Sequence, residues 1–191
     1  MSNLAYKLDD CFTYADYLSW DDDERYEIID GVAYAMASPT ERHQAISWEL
    51  ARIIYDSLDG KLCKGFTAPF DVRLFPEDDD SDDTVVQPDI LVVCDKSKLA
   101  DGRACKGAPD LIVEILSPSS VIIDRKVKAE KYLEAGVREY WIVNSETLDI
   151  MVNTLTDGRY VPALHKDSVV SSVLPGLTVN LDTLRANVTK E

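Results

Sequence analysis

The chain has 191 residues, which is long enough for one domain with its own hydrophobic core and short for two. Hydrophobic residues make up 46% of it, which excludes a disordered or fibrous protein, and no apolar run approaches the roughly 18–20 residues of a membrane span. The formal net charge is −15, from 35 acidic and 20 basic residues. This excess argues against nucleic acid as a partner, because phosphate binding depends on cations.

The negative charge is concentrated in loops. The aspartate-rich run Asp78–Asp83 predicts one solvated loop, and Asp21–Glu24 predicts another. The net charge therefore counts against a nuclease without excluding one, since four cations also lie within seven residues. These cations are Arg125, Lys126, Lys128 and Lys131.

The N-terminus and the cysteines bear on the compartment. Met1–Ala5 shows no basic stretch followed by an apolar one, so we expect a cytoplasmic protein that does not associate with membranes. The four cysteines have neither CxxC nor Cys/His spacing, which excludes the common zinc sites, and we expect them to be reduced and buried. They are Cys11, Cys63, Cys94 and Cys105.

The first third of the chain predicts a β-hairpin followed by a helix. Tyr26–Ile29 and Val32–Met36 flank Asp30-Gly31, a dipeptide typical of a two-residue hairpin turn. Apolar residues at helical spacing from Ile46 to Leu58 then predict a helix that ends at Gly60.

The middle of the chain predicts a parallel crossover between buried strands. Pro88–Val93 and Asp110–Leu116 are nearly unbroken apolar runs, as in strands buried on both faces. A helix over Val121–Ala135, ending at Gly136, separates the second run from another strand, Glu139–Val143. Residues 1–191 are therefore predicted to form a single α/β domain, with a mixed central β-sheet flanked by helices.

Two carboxylates mark the ends of these core strands. Glu114 lies inside an apolar strand, where a carboxylate must be paired, protonated or bound to a cation. Asp89 opens the other strand. Each has a plain alternative, a structural ion pair for Glu114 and a cap or turn for Asp89. Together they form an oxygen-ligand pair suited to Mg²⁺ or Mn²⁺.

A third polar residue follows on the crossover helix. Lys128 shares a helical face with Asp124 and Tyr132, one turn before and one turn after it. It either belongs to a solvated helix surface or directs its ammonium group across the end of the Glu114 strand, where it could stabilise a reacting phosphate. For Tyr132 and Tyr140, the apolar surroundings predict core packing without chemistry.

Seven segments, in the expected order between residues 26 and 177, resemble the Uma2 (DUF820) family. They are Tyr26–Gly31, Arg42–Gln44, Gln87–Val93, Gly107–Ser119, Asp124–Tyr132, Ala135–Val143 and Leu174–Leu177. That family is placed in the PD-(D/E)xK nuclease superfamily, so the resemblance implies a restriction-endonuclease-like core. It also identifies Pro88-Asp89 as the PD and Glu114 as the second acidic ligand. The superfamily motif places its lysine two residues after the second acidic ligand, where this chain has Leu116. The resemblance implies that in this family the lysine lies on the following helix instead, at the position of Lys128.

Three further residues are candidates for the site, the first of them through the resemblance. Glu27 would complete the metal shell, unless it is an exposed strand residue opposite Arg25 or Arg42. His43 and Arg125 would contact the substrate phosphates, although a lone histidine near a helix start is more often a surface or capping residue.

The function that follows is a Mg²⁺- or Mn²⁺-dependent endonuclease with Asp89, Glu114 and Lys128 as its catalytic residues. DNA is favoured over RNA as the partner, and nucleases of this fold often act as homodimers. Two alternatives stay open: an interaction domain that has kept the fold without catalysis, and a hydrolase of a small phosphodiester, which needs no basic surface.

Overall fold

The computed structural model describes residues 11–21, 24–117 and 123–189, with Ile123 and Arg125 described by their backbone alone. The helices are α1 Tyr14–Ser19, α2 Glu41–Ser57, α3 Ala129–Ala135 and α4 Leu181–Val188, with a 3₁₀ turn at Lys96–Leu99 and a π-helical stretch at Ile123–Lys128 that runs into α3. The strands are β1 Tyr26–Ile29, β2 Val32–Ala35, β3 Lys64–Thr67, β4 Val72–Arg73, β5 Val85–Val86, β6 Ile90–Val93, β7 Cys105–Lys106, β8 Leu111–Leu116, β9 Glu139–Asn144, β10 Ile150–Thr156, β11 Arg159–His165, β12 Ser168–Val170 and β13 Thr178–Asn180.

The central sheet has six strands in the order β11-β10-β9-β8-β6-β3. Only the β8–β9 pair is parallel among the described strands of this sheet, so the sheet is mixed, as predicted. The chain passes from β8 to β9 through the π-helical stretch and α3, which is the predicted crossover. Gly136, with φ of 87°, ends α3 in the left-handed conformation that glycine adopts most readily. The first two residues of the predicted helix, 121 and 122, lie outside the described ranges.

A second sheet, in the order β2-β1-β5-β4-β7, contains the predicted hairpin. Asp30 and Gly31 both have positive φ, 51° and 73°, as the two central residues of a type I′ hairpin turn do. The strands β12 and β13 form a separate two-stranded sheet.

The two faces of the central sheet pack into different cores because side chains alternate along each strand. On one face, Val113 and Ile115 of β8 pack with α2 and α4. On the other, Ile112 and Leu116 pack with Tyr132 of α3 and with the second sheet. The face that carries Leu116 also carries Glu114, so the crossover helix covers the side of β8 on which the candidate carboxylate lies.

The prediction that Asp78–Asp83 is a solvated loop is wrong for Asp82. Its side chain is buried with Arg73, which is itself 0% exposed and donates hydrogen bonds to both Asp80 and Asp82. A buried guanidinium needs carboxylate partners, and the acidic loop folds back to supply them.

The prediction of four reduced cysteines is also wrong. Cys63 and Cys94 are joined by a disulfide bond. Lys64 and Val93 are the cross-strand pair at this end of the antiparallel strands β3 and β6. Cys63 directly precedes Lys64 and Cys94 directly follows Val93, which places the two cysteines opposite one another. Cys105 is buried as a free thiol, whereas Cys11 is exposed. No helix in the described ranges combines the length and the apolar character needed to cross a membrane.

Candidate active site

Strand pairing places the two predicted carboxylates side by side, at the same end of the neighbouring strands β6 and β8. β6 and β8 are antiparallel, with Ile90 opposite Val113, so Asp89 at the start of β6 stands next to Glu114 near the end of β8. Asp89 also accepts a hydrogen bond of 2.7 Å from the backbone N–H of Ile115, through Oδ2. The carboxylate of Asp89 is thereby fixed to the strand that carries Glu114.

The crossover directs Lys128 into the same place. Its Nζ lies 2.7 Å from Oε1 of Glu27, 3.0 Å from Oε1 of Glu114 and 3.4 Å from Oδ1 of Asp124. Lys128 is 3% exposed, so the solvated-surface alternative does not describe it. The π-helical turn from Ile123 to Lys128 is of a kind that often occurs at functional sites.

Glu27 is buried, not exposed, and it faces Lys128 from the second sheet. Its Oε1 also accepts a hydrogen bond of 2.8 Å from the backbone N–H of Gln87. Glu27 therefore holds the ammonium group of Lys128, and its further role as a metal ligand stays a prediction.

Two tyrosines have polar contacts that their apolar surroundings did not predict. The hydroxyl of Tyr132 donates a hydrogen bond of 2.7 Å to Oε1 of Glu114, and the hydroxyl of Tyr140 donates one of 2.9 Å to the backbone oxygen of Asp124. The spacing of Asp124, Lys128 and Tyr132 on one helical face was the available signal. Among the described residues, the donors to Glu114, Lys128 and Tyr132, both act on its Oε1.

Negative charge exceeds positive charge in this cluster. The carboxylates of Glu27, Glu114 and Asp124 surround the buried ammonium group of Lys128, and Asp89 adds a further negative charge beside Glu114. Burial raises the pKa of Glu114 well above its usual range; the ammonium of Lys128 offsets part of the shift, and the neighbouring carboxylates add to it. Burial alone would lower the pKa of Lys128, but Glu114 and Glu27 hold it well above its usual value. The surrounding carboxylates therefore favour the charged form of Lys128.

His43 lies in the first turn of α2, and its side chain contacts Asp89. Its Nε2 is 3.2 Å from Oδ2 of Asp89 and 3.1 Å from the backbone oxygen of Ile115. Both partners are acceptors, so Nε2 carries the proton. Burial tends to lower the pKa of His43, but the contact with Asp89 raises it overall. Contact with a substrate, predicted for His43 and Arg125, stays a prediction, and the side chain of Arg125 lies outside the described part of the structure.

These residues open into a cleft of about 760 Å³. Asp89, Glu114 and Lys128 line it together with several residues of α2, among them Arg42 and Tyr55. A volume of this size is typical of a small-ligand site.

The donor set suits a hard divalent cation. Within the described ranges no cage of three or more His, Cys, Asp or Glu side chains is present. Mg²⁺ does not require one, since it binds one or two carboxylates and keeps several waters. Asp89 and Glu114 could supply that pair, and a bound cation would neutralise part of the excess negative charge.

The model of the Uma2 family, described as "Putative restriction endonuclease", matches residues 14–184. The chain belongs to the Uma2 family. This Uma2 domain is similar to "Uncharacterized protein slr1290" of Synechocystis sp. (strain ATCC 27184 / PCC 6803 / Kazusa). The two are 28% identical over 138 residues, and the match covers 71% of this chain and 70% of that protein.

A solved structure is also similar to this Uma2 domain. It is described as "a putative nuclease belonging to DUF820" from Anabaena variabilis ATCC 29413, and it superposes with a TM-score of 0.74 at 19% identity, over 93% of this chain and 99% of that one. At this identity the likeness shows the fold. The family and the mixed α/β fold predicted from the sequence are both confirmed.

Proposed function

We propose that this Uma2 domain is a Mg²⁺- or Mn²⁺-dependent phosphodiesterase that cleaves nucleic-acid phosphodiester bonds. The observation that carries the proposal is the placement of Asp89 and Glu114 side by side at the edge of a cleft, with the ammonium group of Lys128 3.0 Å from Glu114. Membership of a family described as "Putative restriction endonuclease" supports the same chemistry.

Asp89 and Glu114 would hold the ion through their carboxylate oxygens. When bound, a divalent cation lowers the pKa of a coordinated water and polarises the scissile phosphate. The hydrogen bonds from Ile115 to Asp89 and from Tyr132 to Glu114 fix these two carboxylates before any ligand arrives. Such preorganisation reduces the free energy spent on ordering the site during the reaction.

Lys128 would act as a fixed positive charge. Because Glu114 and Glu27 raise its pKa, the charged form of Lys128 is favoured, which suits it to electrostatic stabilisation better than to general-base catalysis. Its ammonium group can instead orient the attacking water or stabilise charge that develops on the phosphate. Glu27 and Asp124 keep the group in place from the second sheet and from the preceding helical turn.

The net charge of −15 and the size of the cleft favour a second substrate class, a small phosphodiester. Such a substrate fits within the cleft and needs no extended basic surface.

Hydrolysis assays test the proposal. Protein stripped of metal by EDTA should cleave none of four substrates: a single-stranded DNA, a duplex DNA, an RNA and bis(p-nitrophenyl) phosphate. Adding Mn²⁺ or Mg²⁺ should restore cleavage of at least one of them, and the pattern of cleavage separates the two substrate classes. If none is cleaved with either ion, the proposal is overturned in favour of an interaction domain.

A further inference from the structure

One wall of the cleft carries two large aromatic side chains exposed to solvent. Trp48 is 78% exposed and Tyr55 is 74% exposed, and both lie on α2. They are seven positions apart in the sequence, so they lie on one helical face. They line the same cleft as Asp89 and Glu114.

The fold does not need these rings at the surface. The opposite face of α2 supplies Ile46, Leu50 and Ile54 to the hydrophobic core, and all three are at most 1% exposed. Trp48 and Tyr55 gain little from folding because most of their surface stays in water. Two exposed aromatic rings on one helical face at the edge of a cleft indicate a binding surface.

Charge on this wall is largely neutralised. Arg52 lies between the two rings, and its guanidinium group is 2.8 Å from carboxylate oxygens of both Glu49 and Asp56. Arg42, another cation of α2 that lines the cleft, donates hydrogen bonds to the backbone oxygens of Ser145 and Glu146. With the whole chain at −15, these hydrogen-bonded cations supply less positive charge than binding to a duplex backbone requires. The ligand must therefore be recognised mainly through the faces of the rings.

We infer that the wall formed by Trp48 and Tyr55 binds an unpaired nucleic-acid strand by stacking against its bases. The inference rests on the proposed function, because it takes the cleft as the place where the scissile strand lies. Seven residues of α-helix separate the rings by about 10.5 Å along the axis. Bases in a duplex are about 3.4 Å apart and already stacked on one another, so only splayed, unpaired bases can reach both rings.

Binding of fluorescent oligonucleotides of about 12 nucleotides tests this inference. With Ca²⁺ in place of the catalytic ion, the single strand should bind more tightly than the duplex of the same sequence. It should also bind more tightly than a strand of abasic sugar–phosphate units. Trp48→Ala and Tyr55→Ala should each weaken binding of the single strand by about tenfold or more and leave the abasic strand unaffected.

Two variants serve as controls. Leu164→Ala removes an exposed apolar side chain, 54% exposed, from β11 at the opposite edge of the central sheet, and it should bind like the unchanged protein. Trp48→Phe keeps a ring for stacking, so it should bind within a few-fold of the unchanged protein. The quenching of tryptophan fluorescence that accompanies binding should nevertheless be lost in this variant.

The inference is overturned if Trp48→Ala and Tyr55→Ala bind the single strand as well as Leu164→Ala does, or if no strand binds at all. It is also overturned if Trp48→Ala only converts a dimer into a monomer in sedimentation, since the wall then joins two copies of the chain. Ring-dependent binding without hydrolysis in Mn²⁺ would uphold the inference and overturn the proposed function. Hydrolysis in Mn²⁺ that does not depend on the rings would uphold the proposed function and overturn the inference.

Discussion

Lys128→Met is expected to lower the rate of phosphodiester hydrolysis by roughly 10²–10³-fold. The reason is that Lys128 is the buried cation that contacts Glu114, and its raised pKa keeps it charged. Mn²⁺ binding should persist or tighten, because the substitution removes a positive charge from beside a proposed metal ligand. Hydrolysis rates and Mn²⁺ titration of the same preparation measure both effects.

The substitution also leaves buried carboxylates without their cation, which could cost about 3–5 kcal/mol of folding free energy. The double change Lys128→Met with Glu27→Gln removes one of those carboxylates and keeps an acceptor for the N–H of Gln87. It should therefore be more stable than the single variant and equally inactive. Lys126→Met, at an exposed position on the same helical stretch, is the matched control and should keep its activity. Near-normal hydrolysis by a folded Lys128→Met protein would show that the lysine has a structural role only.

Glu114→Gln is expected to abolish both hydrolysis and the response to metal. In the unchanged protein Mn²⁺ should raise the Tm with dose, because a ligand that binds only the folded state stabilises it. Gln at position 114 cannot supply the charged oxygen, and a loss of several kcal/mol of transition-state stabilisation corresponds to roughly 10³-fold or more in rate. Without metal the variant should be about as stable as the unchanged protein, since burial already disfavours the charged form of Glu114.

Glu139 provides the control for this prediction. It is a fully buried carboxylate on the neighbouring strand β9, where it binds Trp141 and Ser172 away from the cleft. Glu139→Gln should leave the Mn²⁺-dependent rise in Tm unchanged even if it lowers the Tm itself. A Glu114→Gln protein that keeps the Mn²⁺ response but loses stability would mark Glu114 as a structural ion-pair partner.

The placement of Asp89, Glu114 and Lys128 could be predicted because it follows from local patterns. Two short apolar runs with a carboxylate near the end of each predict neighbouring core strands, and a crossover helix must pack back onto the sheet. Helical spacing then aligned Lys128 with Asp124 and Tyr132. Each of these rules applies to the residue pattern of one short, continuous segment, which can be read from the sequence.

Contacts between distant segments could not be predicted in the same way. Glu27 meets Lys128, and the aspartates that neutralise Arg73 come from a loop that looked solvated. The Cys63–Cys94 bond depends on the register of β3 against β6, which no single segment encodes. Each of these contacts needs the relative position of two elements, and composition and periodicity carry no information about it.

The most direct test of the proposed metal site is a crystal of this domain soaked in Mn²⁺ and measured for anomalous scattering. We predict a peak bound by the carboxylates of Asp89 and Glu114, at the cleft edge where β6 and β8 pair, and no such peak in the Glu114→Gln variant. Unchanged contacts between Lys128, Glu27 and Glu114, with no anomalous peak at saturating Mn²⁺, would contradict a metal-dependent active site and identify the cluster as a buried ion-pair network.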